Sequence, residues 1–169
     1  VLFLLTADSL AGVLPTIRSR CISFAVAPVS SEDCARYCTA QGVGAKDAAL
    51  YSALFDGHIG TVLAAARDEA RREQVDRALA LAKAAAARDS YAAAVLLAAY
   101  EKDKAGASAL LADFRAVAAA GLRGSSHSPV EGETARKALG AADAAMQQIS
   151  AQVNPKIVLS VLAAKFRTF

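Results

Sequence analysis

The chain has 169 residues, of which 55% are hydrophobic but only 6% aromatic, and tryptophan is absent. Alanine inflates the apolar share; its strong helix propensity and small side chain predict a mainly helical chain with thin, close helix contacts. Charged residues at 21% argue against intrinsic disorder, and a net charge of +3 does not point to bulk nucleic-acid binding.

Residues 1–6 form a continuous apolar run ending at Thr6 and read as a buried strand. The run has no basic n-region and no small-residue cleavage site, so it does not fit a signal peptide. The chain therefore reads as the C-terminal part of a longer protein. Asp8 and Ser9 can cap a short helical turn, and Pro15 breaks the chain near Leu14. Residues 16–20 are polar and twice basic. Residues 21–26 alternate weakly and predict a second short strand. Pro28 and the Ser30-Ser31-Glu32-Asp33 cluster mark a boundary and a helix start.

Helices are expected throughout the remainder. One over 31–41 stops at Gly42 and Gly44. A second over 46–55 buries Ala49, Leu50, Ala53 and Leu54 and stops at Gly57, and a short third starts near Gly60. Residues 67–77 mix charges of both signs and read as a solvated connector helix with pairs such as Asp68–Arg72 and Glu73–Arg77. Four long helices follow, over about 74–87, 89–103, 105–122 and 130–151, punctuated by Gly106, Gly121 and Gly124. The Ser125-Ser126-His127-Ser128-Pro129 stretch is the clearest loop. Asn154-Pro155 starts a last helix with an apolar stripe of Ile157, Val158, Val161, Leu162 and Phe166.

The mean hydropathy is +0.32, and the longest apolar stretch, 78–100, is interrupted by Lys83, Arg88 and Asp89; it makes a poor membrane span. Cys21, Cys34 and Cys38 are odd in number and unlike a disulfide framework, so reduced thiols are expected. Cys34 and Cys38 at i and i+4 could share a helix face, but burial of small thiols is the commoner outcome and no metal is expected. The Gly42–Lys46 stretch lacks the spacing of a phosphate loop, and no Gly-x-Ser-x-Gly elbow exists. No complete active site is legible.

The exception is Thr16-Ile17-Arg18-Ser19-Arg20-Cys21, two arginines on a short segment. A guanidinium stays charged and presents a planar fork of donors, suited to a phosphate that gains charge during transfer. On spacing alone, a surface arginine pair is the preferred reading.

Residues 4–8 (Leu-Leu-Thr-Ala-Asp) followed by 14–21 (Leu-Pro-Thr-Ile-Arg-Ser-Arg-Cys) resemble the bacterial DNA polymerase III clamp loader, an AAA+ family. The first piece resembles the sensor-1 strand, with Thr6 at its sensor position. The Ser19-Arg20-Cys21 triplet resembles the motif that carries an arginine finger. Phe55-Asp56-Gly57-His58-Ile59-Gly60 resembles the lid turn before the sensor-2 helix, and Asn154-Pro155-Lys156 with the following apolar helix resembles the end of the collar domain.

The resemblance implies a mainly α chain. Residues 1–27 would be the end of an AAA+ α/β core with two short strands, 28–68 a helical lid, and 69–169 a helical-bundle collar for oligomerisation. It implies that Arg20 is a catalytic finger acting in trans on ATP with Mg held by a neighbouring subunit. Thr16, Arg18, Ser19 and Cys21 would form the motif and its interface, and Ile157, Val158, Val161, Leu162 and Phe166 the collar packing. Thr61 stands where hydrolysing subunits carry a sensor-2 arginine, which implies the non-hydrolysing, delta-prime type that binds no cofactor itself. The implied partners are the motor and delta subunits and, through the whole complex, the sliding clamp and primed DNA, in the cytoplasm and without a membrane. A hydrolysing motor subunit of the same loader and a helical interaction scaffold without a nucleotide role are the alternatives.

Overall fold

Polar caps set most helix starts in the computed structural model, which describes residues 2–7, 9–27 and 29–169. A 3-10 turn at Leu10–Gly12 and the single-turn helix α1 (Pro15–Arg18) come first. Helix α2 (Ser31–Ala40) opens where the Ser30 hydroxyl accepts from the Asp33 N–H at 3.1 Å. Then come α3 (Ala45–Leu54), α4 (Ile59–Arg67) and α5 (Glu69–Ala86), the last capped by Asp68. Asp89 and Asp103 cap α6 (Ser90–Ala98) and α7 (Lys104–Leu122). After α8 (Gly132–Ser150), Asn154 caps α9 (Pro155–Lys165), and a 3-10 turn, Phe166–Thr168, ends the helical part. Each cap gives an acceptor to an N–H that the helix itself leaves without one.

Helix α7 is the centre of the packing, lying mainly on α8 and α5, while α6 packs on α9 and α2 on α3. The contacts are thin, as the alanine content requires. Ala78, Ala82 and Ala85 of α5, Ala118 of α7, and Ala138 and Ala142 of α8 are all fully buried. Larger side chains fill what remains: Phe114 of α7 lies 5.8 Å from Phe166, which in turn lies 4.8 Å from Phe169, ring centre to ring centre. One apolar cluster runs from Cys34 to Phe169, so the 31–67 helices and the later bundle share a core.

The mainly helical class stands, but neither expected strand forms among the described residues. Residues 2–7 and 21–27 are unpaired, with Leu4 87% and Phe24 84% exposed. An apolar run cannot become a strand without a neighbour to complete its ladder. Val1, Asp8 and Pro28 lie outside the described residues, so the expected Asp8 cap and Pro28 boundary fall outside them; Ser9 caps the first turn. Pro15 does not break the chain but opens α1, where its missing N–H costs nothing.

Other expectations shift locally. The charged 67–77 stretch is no separate connector: α5 runs through it and buries Val75. The Glu73–Arg77 pair forms at 2.6 Å, whereas Asp68 is occupied as the α5 cap and Arg72 turns to the Ala66 carbonyl instead. In α3 Leu54 is buried as expected, together with Ala48, Tyr51 and Ser52, whereas Ala49, Leu50 and Ala53 are only half-buried. Helix α6 ends at Ala98, well before 103, and Gly106 and Gly121 lie inside α7 rather than punctuating it. On α9, Val158 and Leu162 are buried and Phe166 follows in the closing turn, but Ile157 and Val161 are 58% and 45% exposed, and Leu159 takes their place in the core. Helix α7, not 78–100, is the stretch long and apolar enough to cross a membrane, and half of its span is buried.

Candidate functional site

The Arg18–Arg20 segment is built by one helical turn. Pro15 supplies a helical φ at the first position, and the Ser19 N–H donates to the Pro15 carbonyl at 3.0 Å. The Ser19 hydroxyl donates to the Thr16 carbonyl at 3.2 Å, and the Arg20 N–H to the Ile17 carbonyl at 3.0 Å. The segment is thus held by local bonds, with Arg18, the last residue of the turn, and Arg20 both exposed. No ion pair among the described residues involves Arg18 or Arg20. Cys21, next in line, is exposed and reduced. A solvated, unpaired arginine on a short turn keeps all its donors for an external acceptor.

Thr6, at the sensor-like position, lies on exposed, unpaired backbone, and no hydrogen bond among the described residues joins it to Arg20.

The 55–60 turn is tightly made. Asp56 and Gly57 have φ of 53° and 72°, and a Cβ on Gly57 would lie 1.8 Å from the Val29 carbonyl oxygen. Only glycine fits, because the turn needs both the left-handed backbone and the close approach. The Gly57 N–H donates to the Ser52 carbonyl at 3.1 Å, and the His58 ring Nδ1 donates to the Phe55 carbonyl at 2.7 Å. Thr61 lies in the first turn of α4, half-buried, on a groove shared with α7.

Cys34 and Cys38 do share one face of α2, both fully buried. Burial, followed by the neighbouring Cys34, pushes the Cys38 thiol above its ordinary range, which disfavours the thiolate a metal needs. No cluster of His, Cys, Asp or Glu with metal-binding geometry occurs among the described residues.

Sequence reasoning missed the polar contacts between distant helices. Arg71 of α5 pairs with Asp113 of α7, and Arg123 at the end of α7 reaches the Ala53 carbonyl at 3.2 Å and Asp56 at 3.5 Å. A lone acid within the apolar Leu110-Leu111-Ala112-Asp113-Phe114 run is the signal that could have found the first of these. No protein-family profile, curated protein or solved structure matches the chain.

Proposed function

We propose that the chain is part of a non-hydrolysing, delta-prime-type subunit of the DNA polymerase III clamp loader, and that Arg20 acts in trans on ATP bound with Mg by a neighbouring subunit. The observation that carries this reading is Arg20 itself: exposed, set at the end of a helical turn, and without an ion-pair partner among the described residues. A finger of this kind makes hydrolysis depend on assembly, because the charge developing on the transferred phosphoryl is met only when the neighbour docks. Such fingers contribute roughly 10³–10⁵-fold in rate.

In this reading residues 1–27 are the end of an AAA+ α/β core. The exposed apolar side chains of Leu2, Leu4, Ile22, Phe24 and Val26 suit strands that complete a sheet from elsewhere in the protein. Residues 28–68 serve as the lid and 69–169 as the collar, with Ile157 and Val161 as exposed apolar contacts toward other subunits. Thr61 leaves the lid without a sensor-2 cation, which suits a subunit that does not hydrolyse ATP. The clamp, primed DNA and the cytoplasm follow as the setting of the whole complex.

The test is the DNA- and clamp-stimulated ATPase of a loader reconstituted with the intact protein, comparing wild type with Arg20→Ala, with assembly checked by native mass. A loss of about tenfold or more in the rate of the site beside this subunit is expected. An unchanged rate with an intact assembly sinks the finger and leaves a scaffold.

A further inference from the structure

A groove of about 320 Å³ lies between the start of α4 and the outer face of α7. Its polar rim is Asp56, His58, Thr61, Arg115 and Arg123, above an apolar floor that includes Phe55. Two of these are guanidiniums held by their outer edges. Arg115 donates from Nε to Asp143 at 2.6 Å, and neither of its Nη groups has a protein acceptor among the described residues. Arg123 uses Nη2 on the Ala53 carbonyl and Nε, 3.5 Å away, on Asp56; its Nη1 makes no such bond.

These pairings leave both Nη groups of Arg115 and Nη1 of Arg123 without a protein acceptor among the described residues. His58 is oriented as well: its Nδ1 gives its hydrogen to a carbonyl, which can only accept, so in the neutral ring Nε2 faces a ligand as an acceptor and adds no donor. The Thr61 hydroxyl adds a donor that forms no side-chain hydrogen bond among the described residues. The groove thus offers both Nη groups of Arg115, Nη1 of Arg123 and the Thr61 hydroxyl as unspent donors beside an apolar surface.

We propose that this groove binds a phosphate group, held between Arg115 and Arg123 with Thr61 and His58 alongside. Asp56 and Asp143 offset the formal charge of the two guanidiniums, so recognition rests on the directed donors rather than on net charge. Planar guanidinium forks match a tetrahedral oxyanion in the manner required. The site is separate from Arg20 and does not depend on the role given to it.

The experiment is an amide NMR titration of the whole chain with inorganic phosphate and, separately, adenosine 5′-monophosphate, at constant ionic strength in chloride. Saturable shifts at His58, Gly60 and Thr61 are expected, weakened about tenfold or more in Arg115→Gln with an unchanged helical spectrum. Arg136→Gln is the control, because Arg136 is also an exposed arginine paired with a carboxylate, Glu133, but lies outside the groove. Tighter binding of the nucleotide supports a phosphate ester whose apolar part rests on the floor; equal binding supports the free oxyanion. The absence of saturation with both probes, or equal effects of the two substitutions, overturns the site.

Discussion

Arg71 of α5 holds Asp113 of α7 with both ends of its guanidinium: Nη2 donates to Oδ1 at 2.6 Å and Nη1 to Oδ2. The guanidinium carbon also stands 5.5 Å from the centre of the Phe55 ring at the end of α3. One side chain therefore joins α5 to α7 and to the end of α3, and the hydrogen bonds to Asp113 push the Arg71 pKa further up.

Breaking this pair is costly because Asp113 is only 4% exposed. Arg71→Ala is expected to lower stability by about 3 kcal/mol, since it leaves a buried carboxylate unpaired. Replacing both partners together, Arg71→Met with Asp113→Leu, should recover most of that loss. Urea unfolding of the three proteins checks it; equal midpoints for Arg71→Ala and wild type would show that the pair contributes nothing.

Two helical glycines should respond to alanine with opposite signs. A Cβ on Gly121 would stand 2.0 Å from the Val130 carbonyl oxygen, where α7 passes the 128–130 loop, so Gly121→Ala forces backbone apart and should cost about 2 kcal/mol. Gly140 of α8 has open space at the same position, and Gly140→Ala should gain up to about 1 kcal/mol from helix propensity. Thermal unfolding distinguishes them, and a shift in the same direction for both would refute the close approach at Val130.

The thiols should react in two classes. Cys21 is exposed and should be modified promptly by a disulfide reagent at pH 8, while Cys34 and Cys38 should wait for unfolding. A pH dependence follows from Cys38. Its folded-state pKa is raised, so its contribution is constant below the ordinary thiol range and declines as pH rises through and above it. The unfolding midpoint of Cys38→Ala should therefore fall less steeply above that range than that of wild type. Parallel slopes would remove Cys38 as the cause.

Helix α9 separates a core face from an outer one. Leu162→Ala should cost about 3 kcal/mol, because Leu162 is 2% exposed. Ile157→Ser and Val161→Ser should each stay within about 0.5 kcal/mol of wild type. In the reconstituted loader the pair of serine substitutions should weaken assembly, measured by native mass. Full assembly would leave these two side chains as ordinary surface.

Much of the architecture was legible in the chain. Alanine-rich periodicity, the Ser30–Asp33 cluster, Asn154-Pro155 and the 125–129 loop located most of the helices, because capping and propensity act within a few residues. The backbone of the arginine segment is likewise local, since Ser19 and Arg20 are placed by bonds to residues three or four positions earlier.

Only the tertiary structure decided which faces are inside and which charged groups meet. Residues 1–6 and 21–26 carry strand-like patterns, but a strand exists only when a partner supplies its ladder, and none lies beside the described residues there. The α9 stripe spans too wide an arc for one contact, so the packing of α6 and α8 selected Leu159 over Ile157 and Val161. Arg71 meets Asp113 from 42 positions away, and Arg115 meets Asp143 from 28. Local sequence sets backbone conformation through short-range sterics and hydrogen bonds. The partners of a buried charge are set by how helices cross, which depends on the volumes of all the side chains between them.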